Sequence, residues 1–333
     1  MTRVFVAGAT GAIGRRLVPQ LVDRGYEVFA MARTPAKIDS LREAGAQPVI
    51  GDGLDRASTM QAVMGAEPEV VINEMTALTG VMNLRHFDKQ FALTNRLRTE
   101  GNDNLIEAAR AAGARRFIAQ SFGNWYAPEG AALKTEEDPL DSDPPASQRR
   151  SLSALRHLER AVLGADGLEG LALRYTGLYG PGTAWAEDGE IVRLVRKRQF
   201  PMIGDGLGIW SFVHVDDAAS ATVAAVGRGD PGVYNVADDD PAPTAEWLPE
   251  LARIVGAPEP RHVPVWLGRL LGGEAVASMF TRIRGAANDK AKRELGWRPR
   301  YASWRDGFRY GLSDPLPTSP GGEPEGWRPA ASK

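Results

Sequence analysis

Residues 3–14 read Arg-Val-Phe-Val-Ala-Gly-Ala-Thr-Gly-Ala-Ile-Gly, and they carry the strongest indication of the fold class. Its first part, Arg3–Ala7, is apolar and predicts a buried strand, and the glycines after it predict a tight turn into a helix. Gly8 permits the turn, Gly11 lets a ligand approach the backbone, and Gly14 allows the helix to pack closely on the strand. A strand, a glycine-rich turn and a helix in this order are typical of a dinucleotide-binding loop.

The alternation of strand and helix patterns continues outward from this loop. We predict strands at residues 3–7, 27–32, 48–51, 70–73, 116–120 and 171–175, and helices at residues 11–24, 35–44, 56–64, 93–112 and 151–163. Such a rhythm predicts an α/β fold of the Rossmann type, a doubly wound parallel sheet with helices on both faces.

The pattern becomes irregular after residue 175, which suggests a division of the chain. We expect a dinucleotide-binding domain at residues 1–175, to which residues 212–240 return. We expect residues 176–211 and 241–313 to form a smaller, mainly helical substrate-binding part. The polar stretch 127–147 predicts a surface loop, and the Pro/Gly-rich end, residues 314–333, predicts a flexible tail.

Composition excludes several classes of protein. The 333 residues carry 40 Lys plus Arg and 42 Asp plus Glu, so the net charge of -2 argues against a nucleic-acid partner. No apolar run is long enough to predict a membrane span. The chain has no cysteine, which favours a reducing, cytoplasmic location, and its scattered histidines predict no metal site.

The end of the second strand indicates which cofactor is bound. Arg33 stands there, where a carboxylate would bind the ribose of NAD, so the sequence favours NADP over NAD. Asp52, in a Gly-Asp-Gly turn after the third strand, is placed to accept a hydrogen bond from the adenine amine. The residues that we expect to contact the cofactor are Gly8, Thr10, Gly11, Ala12, Ile13, Gly14, Arg33, Asp52, Gly53, Glu74, Asn95, Gln120 and Tyr175.

With its later motifs, the chain resembles the extended short-chain dehydrogenase/reductase family, also called the NAD-dependent epimerase/dehydratase family. The resemblance runs from Arg3 to about Phe308. Its motifs are Gly8–Gly14, Gly51-Asp52, Thr94-Asn95, residues 173–182 (LRYTGLYGPG), 211–217 (SFVHVDD), 232–236 (GVYNV) and 294–299 (ELGWRP). The resemblance implies a small-molecule substrate and a possible homodimer through the helices at 93–112 and 151–163.

The family resemblance also implies a Tyr-x-x-x-Lys pair with a nearby Ser or Thr, and here the chain departs from it. No lysine is preceded by a tyrosine four residues earlier. Aligned on Glu159, the chain has Ser151 at the tyrosine position and Leu155 at the lysine position. Phe122 stands where the family has its catalytic hydroxyl. The ordinary proton-transfer groups are therefore absent.

Other hydroxyls remain candidates for the proton donor. They are Ser121, Tyr126, Ser151 and Tyr175, each of which could instead be structural. The substrate pocket is predicted to contain Trp125, Trp185, Met202 and Trp210. Trp210 stands where the family's sugar-nucleotide enzymes carry a diphosphate-binding Arg, so an apolar or aromatic substrate is favoured. Arg282 and Arg284, near the family's second diphosphate contact, keep the sugar-nucleotide alternative open.

Four functions follow from these observations. The favoured hypothesis is an NADP(H)-dependent oxidoreductase acting on a small apolar or aromatic carbonyl or alcohol with a non-standard proton donor. The alternatives are an NDP-sugar epimerase or dehydratase, a non-catalytic NADP(H)-binding sensor or scaffold, and a non-redox isomerase or cyclase in the same pocket.

Overall fold

The computed structural model describes residues 1–78 and 84–314. The strands are β1 Arg3–Ala7, β2 Glu27–Ala32, β3 Gln47–Ile50, β4 Val70–Asn73, β5 Arg116–Phe122, β6 Leu133–Lys134, β7 Glu169–Tyr175, β8 Gly177–Tyr179, β9 Met202–Ile203, β10 Ile209–Trp210, β11 Phe212–His214, β12 Gly232–Val236, β13 Ala242–Pro243, β14 His262–Val263 and β15 Gly285–Ala286. The helices are α1 Gly14–Asp23, α2 Ile38–Glu43, α3 Arg56–Ala66, α4 Phe87–Gln90, α5 Ala92–Arg96, α6 Asn102–Ala111, α7 Arg149–Leu163, α8 Glu190–Arg196, α9 Val215–Gly227, α10 Thr244–Ile254, α11 Val265–Gly272, α12 Glu274–Thr281, α13 Asp289–Glu294 and α14 Trp304–Tyr310.

The centre of the molecule is a seven-stranded sheet in the order β12-β7-β5-β4-β1-β2-β3. All of its strand pairs are parallel, which confirms the predicted doubly wound Rossmann-type fold. The strand order reverses between β1 and β4, so the carboxyl ends of these two strands border the crevice where such folds bind ligands.

Two apolar layers cover the two faces of this sheet. One contains α1 and α9, with Leu17 and Val226 among its buried residues. The other contains α3, α6 and part of α7, with Val63 and Leu105. Because both faces are covered, β1 and β4 are buried along almost their whole length and consist of apolar residues rather than an alternating pattern.

A third apolar cluster lies outside the sheet, among residues of the irregular carboxyl-terminal half. Its aromatic members pack against one another: the ring centroids of Trp185 and Trp247 are 5.5 Å apart, and those of Trp210 and Trp247 are 5.3 Å apart. Helices α8, α10, α12 and α14 contribute to this cluster. A fourth cluster, which we call the Phe87 cluster, joins Phe87, Phe91, Trp125, Leu152 and Leu155.

Three sequence predictions need correction. The helix expected at 93–112 is interrupted by a π-helical turn at Leu97–Gly101. The first helix begins at Gly14 rather than at residue 11, because residues 11–13 belong to the glycine-rich turn. The stretch 127–147 is not wholly a surface loop, since β6 pairs with β15 and Lys134 is buried.

The expected tail, residues 314–333, lies outside the described residues except for Asp314. That residue forms an ion pair with Arg16 of α1.

Candidate active site

The loop between β1 and α1 is shaped by its glycines. Gly8 has a φ of +90°, and a Cβ there would lie 2.4 Å from the backbone of Glu74. A Cβ on Gly14 would lie 2.3 Å from the carbonyl oxygen of Gly8. Gly11 is exposed, and a Cβ there would have a single close contact, 3.3 Å from the carbonyl oxygen of Gly8, with no other atom within 4 Å. The protein's own packing therefore requires glycine at positions 8 and 14, whereas the surface at Gly11 is open to a ligand.

The amides at the start of α1 are available to a ligand. Among the described residues, the N–H groups of Ala12 and Ile13 have no hydrogen-bond acceptor. They lie at the amino terminus of α1, where the helix dipole favours negative charge. The exposed Gly11 and these free donors fit a dinucleotide diphosphate, the ligand that the sequence predicts.

The adenosine side of the site carries a basic and an acidic residue. Arg33 follows β2, is exposed, and has no ion-pair partner in the described part of the chain. Asp52 is exposed, and its Oδ1 accepts a 3.0 Å hydrogen bond from the amide of Leu54, so one of its carboxylate oxygens stabilises the turn. Gly53 is packed against Met75, since a Cβ there would lie 2.4 Å from the sulfur.

Glu74 and Tyr175 meet at the carboxyl ends of β4 and β7. The Tyr175 Oη lies 2.8 Å from Glu74 Oε1 and 2.5 Å from Thr222 Oγ1 on α9. Burial raises the pKa of Glu74 to about 8, and its Oε2 has no hydrogen-bond partner. Burial also raises the pKa of Tyr175. A carboxyl group that is neutral at pH 7 therefore lies beneath the crevice.

A buried ion pair links β5, β7 and α7. Arg174 donates from Nε to Oε1 of Glu159 and from Nη2 to Oε2, both at 2.7 Å. Ser121 donates to the same Oε1 at 2.6 Å. The Arg174 Nη1 also donates to the Tyr126 hydroxyl at 2.8 Å, and that hydroxyl donates to Asn235 at 2.6 Å. Burial raises the pKa of Tyr126 despite the nearby guanidinium.

The start of α7 is held by a carboxylate from α4. Asp88 accepts hydrogen bonds from the amides of Arg150 and Ser151 and, at 2.6 Å, from the Ser151 hydroxyl. The same hydroxyl accepts from Asn95 Nδ2 at 3.0 Å. Ser151 is thus part of a third network, separate from those of Tyr175 and of Ser121.

The structure therefore distributes the candidate proton donors over three hydrogen-bond networks. Ser121, Tyr126, Ser151 and Tyr175 are all buried, and each hydroxyl has its partners inside the protein. Among the other predicted cofactor contacts, Thr10 in the turn after β1 and Gln120 in the last part of β5 are half-buried.

The predicted pocket residues fall into two clusters. Trp185, Met202 and Trp210 belong to the third apolar cluster, and the Trp210 Nε1 donates to the carbonyl of Met279 at 3.1 Å. Trp125 belongs to the Phe87 cluster beside α7.

Four residues of the site were not predicted as site residues: Asp88, Glu159, Arg174 and Thr222. No local motif marks Asp88 or Thr222, whose partners lie far along the chain, whereas Arg174 lies in the 173–182 motif and Glu159 was used only to align the chain. Among the described residues, no group of His, Cys, Asp and Glu side chains is arranged to hold a metal ion.

Comparison with known proteins identifies the family. The family model for the NAD dependent epimerase/dehydratase family matches residues 4–237. The chain belongs to this family. This confirms the resemblance inferred from the motifs, and it makes the chain an enzyme of the short-chain dehydrogenase/reductase type that uses a nicotinamide dinucleotide. No helix of the described residues has the length and apolar character needed to span a membrane.

Relatives within this family include named reductases. The chain is 46% identical over 309 residues to a Streptomyces protein named 3-diazoavenalumate denitrifying reductase, covering 92% of this chain and 99% of that protein. It is 27% identical to a ketoreductase of Stigmatella aurantiaca that acts on a 4-hydroxy-2-methyl-3-oxo-4-farnesyl-3,4-dihydroquinoline-1-oxide, with 89% and 91% of the two chains covered. These likenesses support an oxidoreductase.

Solved structures support the fold. UDP-glucose 4-epimerase from Thermotoga maritima, determined with UDP-glucose, has a TM-score of 0.71 at 23% identity, over 94% of this chain and 97% of that chain. A dTDP-glucose 4,6-dehydratase from Streptomyces venezuelae, determined with NAD, has a TM-score of 0.73 at 21% identity, over 93% and 96%.

Proposed function

We propose that this enzyme is an NADPH-dependent reductase that replaces the diazo group of an aromatic substrate by hydrogen and releases dinitrogen. The observation that carries the proposal is an intact dinucleotide loop beside a site without a free proton donor. Support comes from the relative that is 46% identical over nearly its whole length and is named a denitrifying reductase of a diazo compound.

The chemistry of a diazonium group explains why no proton donor is needed. Reduction of a carbonyl requires a hydride and a proton, which the family's tyrosine supplies. An arenediazonium ion requires a hydride alone: ArN₂⁺ and H⁻ give ArH and N₂, and NADPH becomes NADP⁺. The C–N bond is broken, a C–H bond is formed, and the departing nitrogen needs no protonation.

The remaining requirements are binding of the cofactor and exclusion of water, and we assign residues of the chain to each. We assign the diphosphate to the amides of Ala12 and Ile13, and the 2′-phosphate of NADPH to Arg33. The segments 176–211 and 241–313, with their aromatic residues, would cover the substrate and exclude water from it. Water exclusion matters because diazonium ions are hydrolysed in solution.

A second candidate function is reduction of a carbonyl group. It is favoured by the neutral carboxyl of Glu74, whose contact with Tyr175 provides a protonated pair beside the crevice. The ketoreductase relative supports the same reading at lower identity. This is the oxidoreductase that the sequence favoured, with Glu74 and Tyr175 as the proton source.

One experiment separates the two functions. Purified enzyme is mixed with NADPH and either an arenediazonium salt or a panel of aromatic ketones, and NADPH oxidation, nitrogen release and product are measured. The proposal expects equal amounts of oxidised NADPH, dinitrogen and arene, at a rate well above that of a Gly11→Val control. Turnover of ketones alone would establish the second function and refute the first.

A further inference from the structure

The helical segment α5–α6 carries three polar side chains that each have one buried atom without a hydrogen-bond partner. Asn95 and Asn102 lie one turn either side of Arg98, which belongs to the π-helical turn. Three buried atoms of these residues have no hydrogen-bond partner: Asn95 Oδ1, Arg98 Nη1 and Asn102 Nδ2. Buried polar atoms are seldom left unpaired, so three in one helical segment suggest that a ligand completes them. A π-helical turn is also frequent at functional sites.

Arg98 is the most unusual of the three. Its side chain is 6% exposed, and it forms no hydrogen bond or ion pair with any described residue. The opposite charge that acts on it is that of Glu159, whose two oxygens are already bonded to Arg174 and Ser121. Burial lowers the pKa of Arg98 to about 10, which leaves it charged at pH 7. No carboxylate is therefore bonded to the Arg98 guanidinium, and a buried cation in that state is costly unless an anion arrives.

Neighbouring contacts place Arg98 beside the crevice. Asn102 accepts a 2.9 Å hydrogen bond from Asn73, the last residue of β4. Arg98 lies about one helical turn before Asn102 in the same helical segment. Asn95 bonds Ser151 at the start of α7. The π-helical turn that carries Arg98 therefore packs against α7, and the Asn73–Asn102 contact places the start of α6 at the carboxyl end of β4.

The cofactor is not expected to supply a negative charge to Arg98. The charged groups of a dinucleotide are its phosphates, which belong at the loop after β1 and at Arg33. The part of the dinucleotide that would lie over β4 and β5 is its nicotinamide and the attached ribose, and neither group carries a negative charge. A negative charge next to Arg98 therefore has to come from the second ligand.

We propose that Arg98 binds an anionic oxygen of the substrate, and that the substrate class is an arene carrying an ionised hydroxyl beside its diazo group. This rests on the proposed function. The guanidinium acts as a catalytic residue, because it contacts the substrate oxygen directly and stabilises the charge that forms there.

The reaction balances without a proton donor. In the neutral reactant ⁻O–Ar–N₂⁺ the charge of the oxygen is delocalised toward the diazo group. Addition of H⁻ breaks the C–N bond and gives ⁻O–Ar–H and N₂, so a full negative charge remains on the oxygen. A fixed cation at that oxygen stabilises the transition state as an oxyanion hole does.

The kinetic test compares two substrates and three proteins. Wild type, Arg98→Gln and Arg98→Lys are assayed with 2-diazophenol and with benzenediazonium, which lacks the hydroxyl. We expect Arg98→Gln to lower kcat/KM for 2-diazophenol by about 100-fold, with less effect on benzenediazonium and on the Kd of NADPH, and Arg98→Lys to recover part of the loss. Equal losses on both substrates, or a matching loss of NADPH affinity, would place Arg98 at the cofactor and overturn the proposal.

A binding test does not depend on turnover. 4-Nitrophenol is added to the NADP⁺ complex at a pH below its own pKa, and the visible band of its phenolate is recorded. Wild type is expected to increase the phenolate band and Arg98→Gln is not. If wild type releases nitrogen from neither diazo compound, the proposed function fails, while this titration still decides the role of Arg98.

Thermal stability separates a binding role from a structural one. A buried cation that has no bonded carboxylate and is kept for function destabilises the unliganded fold, so Arg98→Met should raise the melting temperature of the free protein. A melting temperature below that of wild type would show that Arg98 holds the fold together and would contradict the proposal.

Discussion

The Tyr175 Oη lies 2.8 Å from Glu74 Oε1, so a phenol and a carboxyl group face each other at the carboxyl ends of two strands. Thr222 is 2.5 Å from the same phenol and donates to the carbonyl of Ala218 at 2.9 Å. The phenol donates to Glu74 Oε1, and the other carboxyl oxygen of Glu74 has no hydrogen-bond partner. An ionised Glu74 would leave the unpartnered Oε2 charged in a buried position.

The first prediction concerns pH and stability. Glu74 has a pKa raised from 4.5 to about 8 in the folded state, so between these values the folded protein holds a proton that the unfolded chain has lost. Its contribution to stability therefore falls as pH rises, by about 1.4 kcal/mol per pH unit. Glu74→Gln should become more stable relative to wild type from pH 5 to pH 8, measured by urea unfolding. The exposed Glu43→Gln serves as control, and a difference independent of pH would contradict the prediction.

The ion pair of Arg174 and Glu159 is the subject of the second prediction. Glu159→Gln leaves the buried Arg174 without a countercharge, so we expect a loss of about 3–5 kcal/mol in the free energy of unfolding. The matched control is Glu100→Gln, which removes an exposed ion pair with Arg96 and should leave the unfolding midpoint unchanged. Similar midpoints for the two variants would show that the buried pair is not needed.

The third prediction tests whether two of the candidate hydroxyls, Ser151 and Tyr126, supply a proton. Ser151→Ala and Tyr126→Phe should keep kcat for a diazonium substrate within about 3-fold of wild type, whereas loss of a general acid costs about 10²–10⁴-fold. Circular dichroism checks folding. A loss of 100-fold in either variant would identify a proton donor and favour carbonyl reduction.

Two glycines of the loop should respond differently to substitution. Gly11→Val places its side chain in the space left for the diphosphate, so we expect normal thermal stability and no detectable NADPH binding by calorimetry. Gly14→Val forces a Cβ to within 2.3 Å of the Gly8 carbonyl oxygen and should lower the melting temperature. If Gly11→Val binds NADPH normally, the loop does not hold the diphosphate.

Arg33 is expected to distinguish NADPH from NADH. Arg33→Ala removes a charge-assisted hydrogen bond to the 2′-phosphate, which predicts an affinity for NADPH lower by about 10- to 100-fold. The affinity for NADH should not change. Arg110→Ala, an exposed arginine on α6, is the control, and equal binding of both cofactors by wild type would remove the basis for an NADP preference.

Much of the fold could be predicted because its signals are local. The strand and glycine turn at residues 3–14 and the alternation after them specify a parallel sheet, since each element is read from a few neighbouring residues. The interruption of the helix predicted at 93–112 could not be predicted. The π-helical turn at Leu97–Gly101 has no local signal, because one wide turn does not change the residue composition of a helix.

The family, the dinucleotide loop and the absence of the Tyr-x-x-x-Lys pair can be read from the order of the amino acids. The folded chain is needed to see that the candidate hydroxyls bond to internal partners and that Arg98 is buried without one. The reason is distance along the chain: Ser121 meets Glu159 38 residues away, and Tyr175 meets Glu74 101 residues away. Whether a polar side chain is free or satisfied depends on such partners, and only folding brings them together.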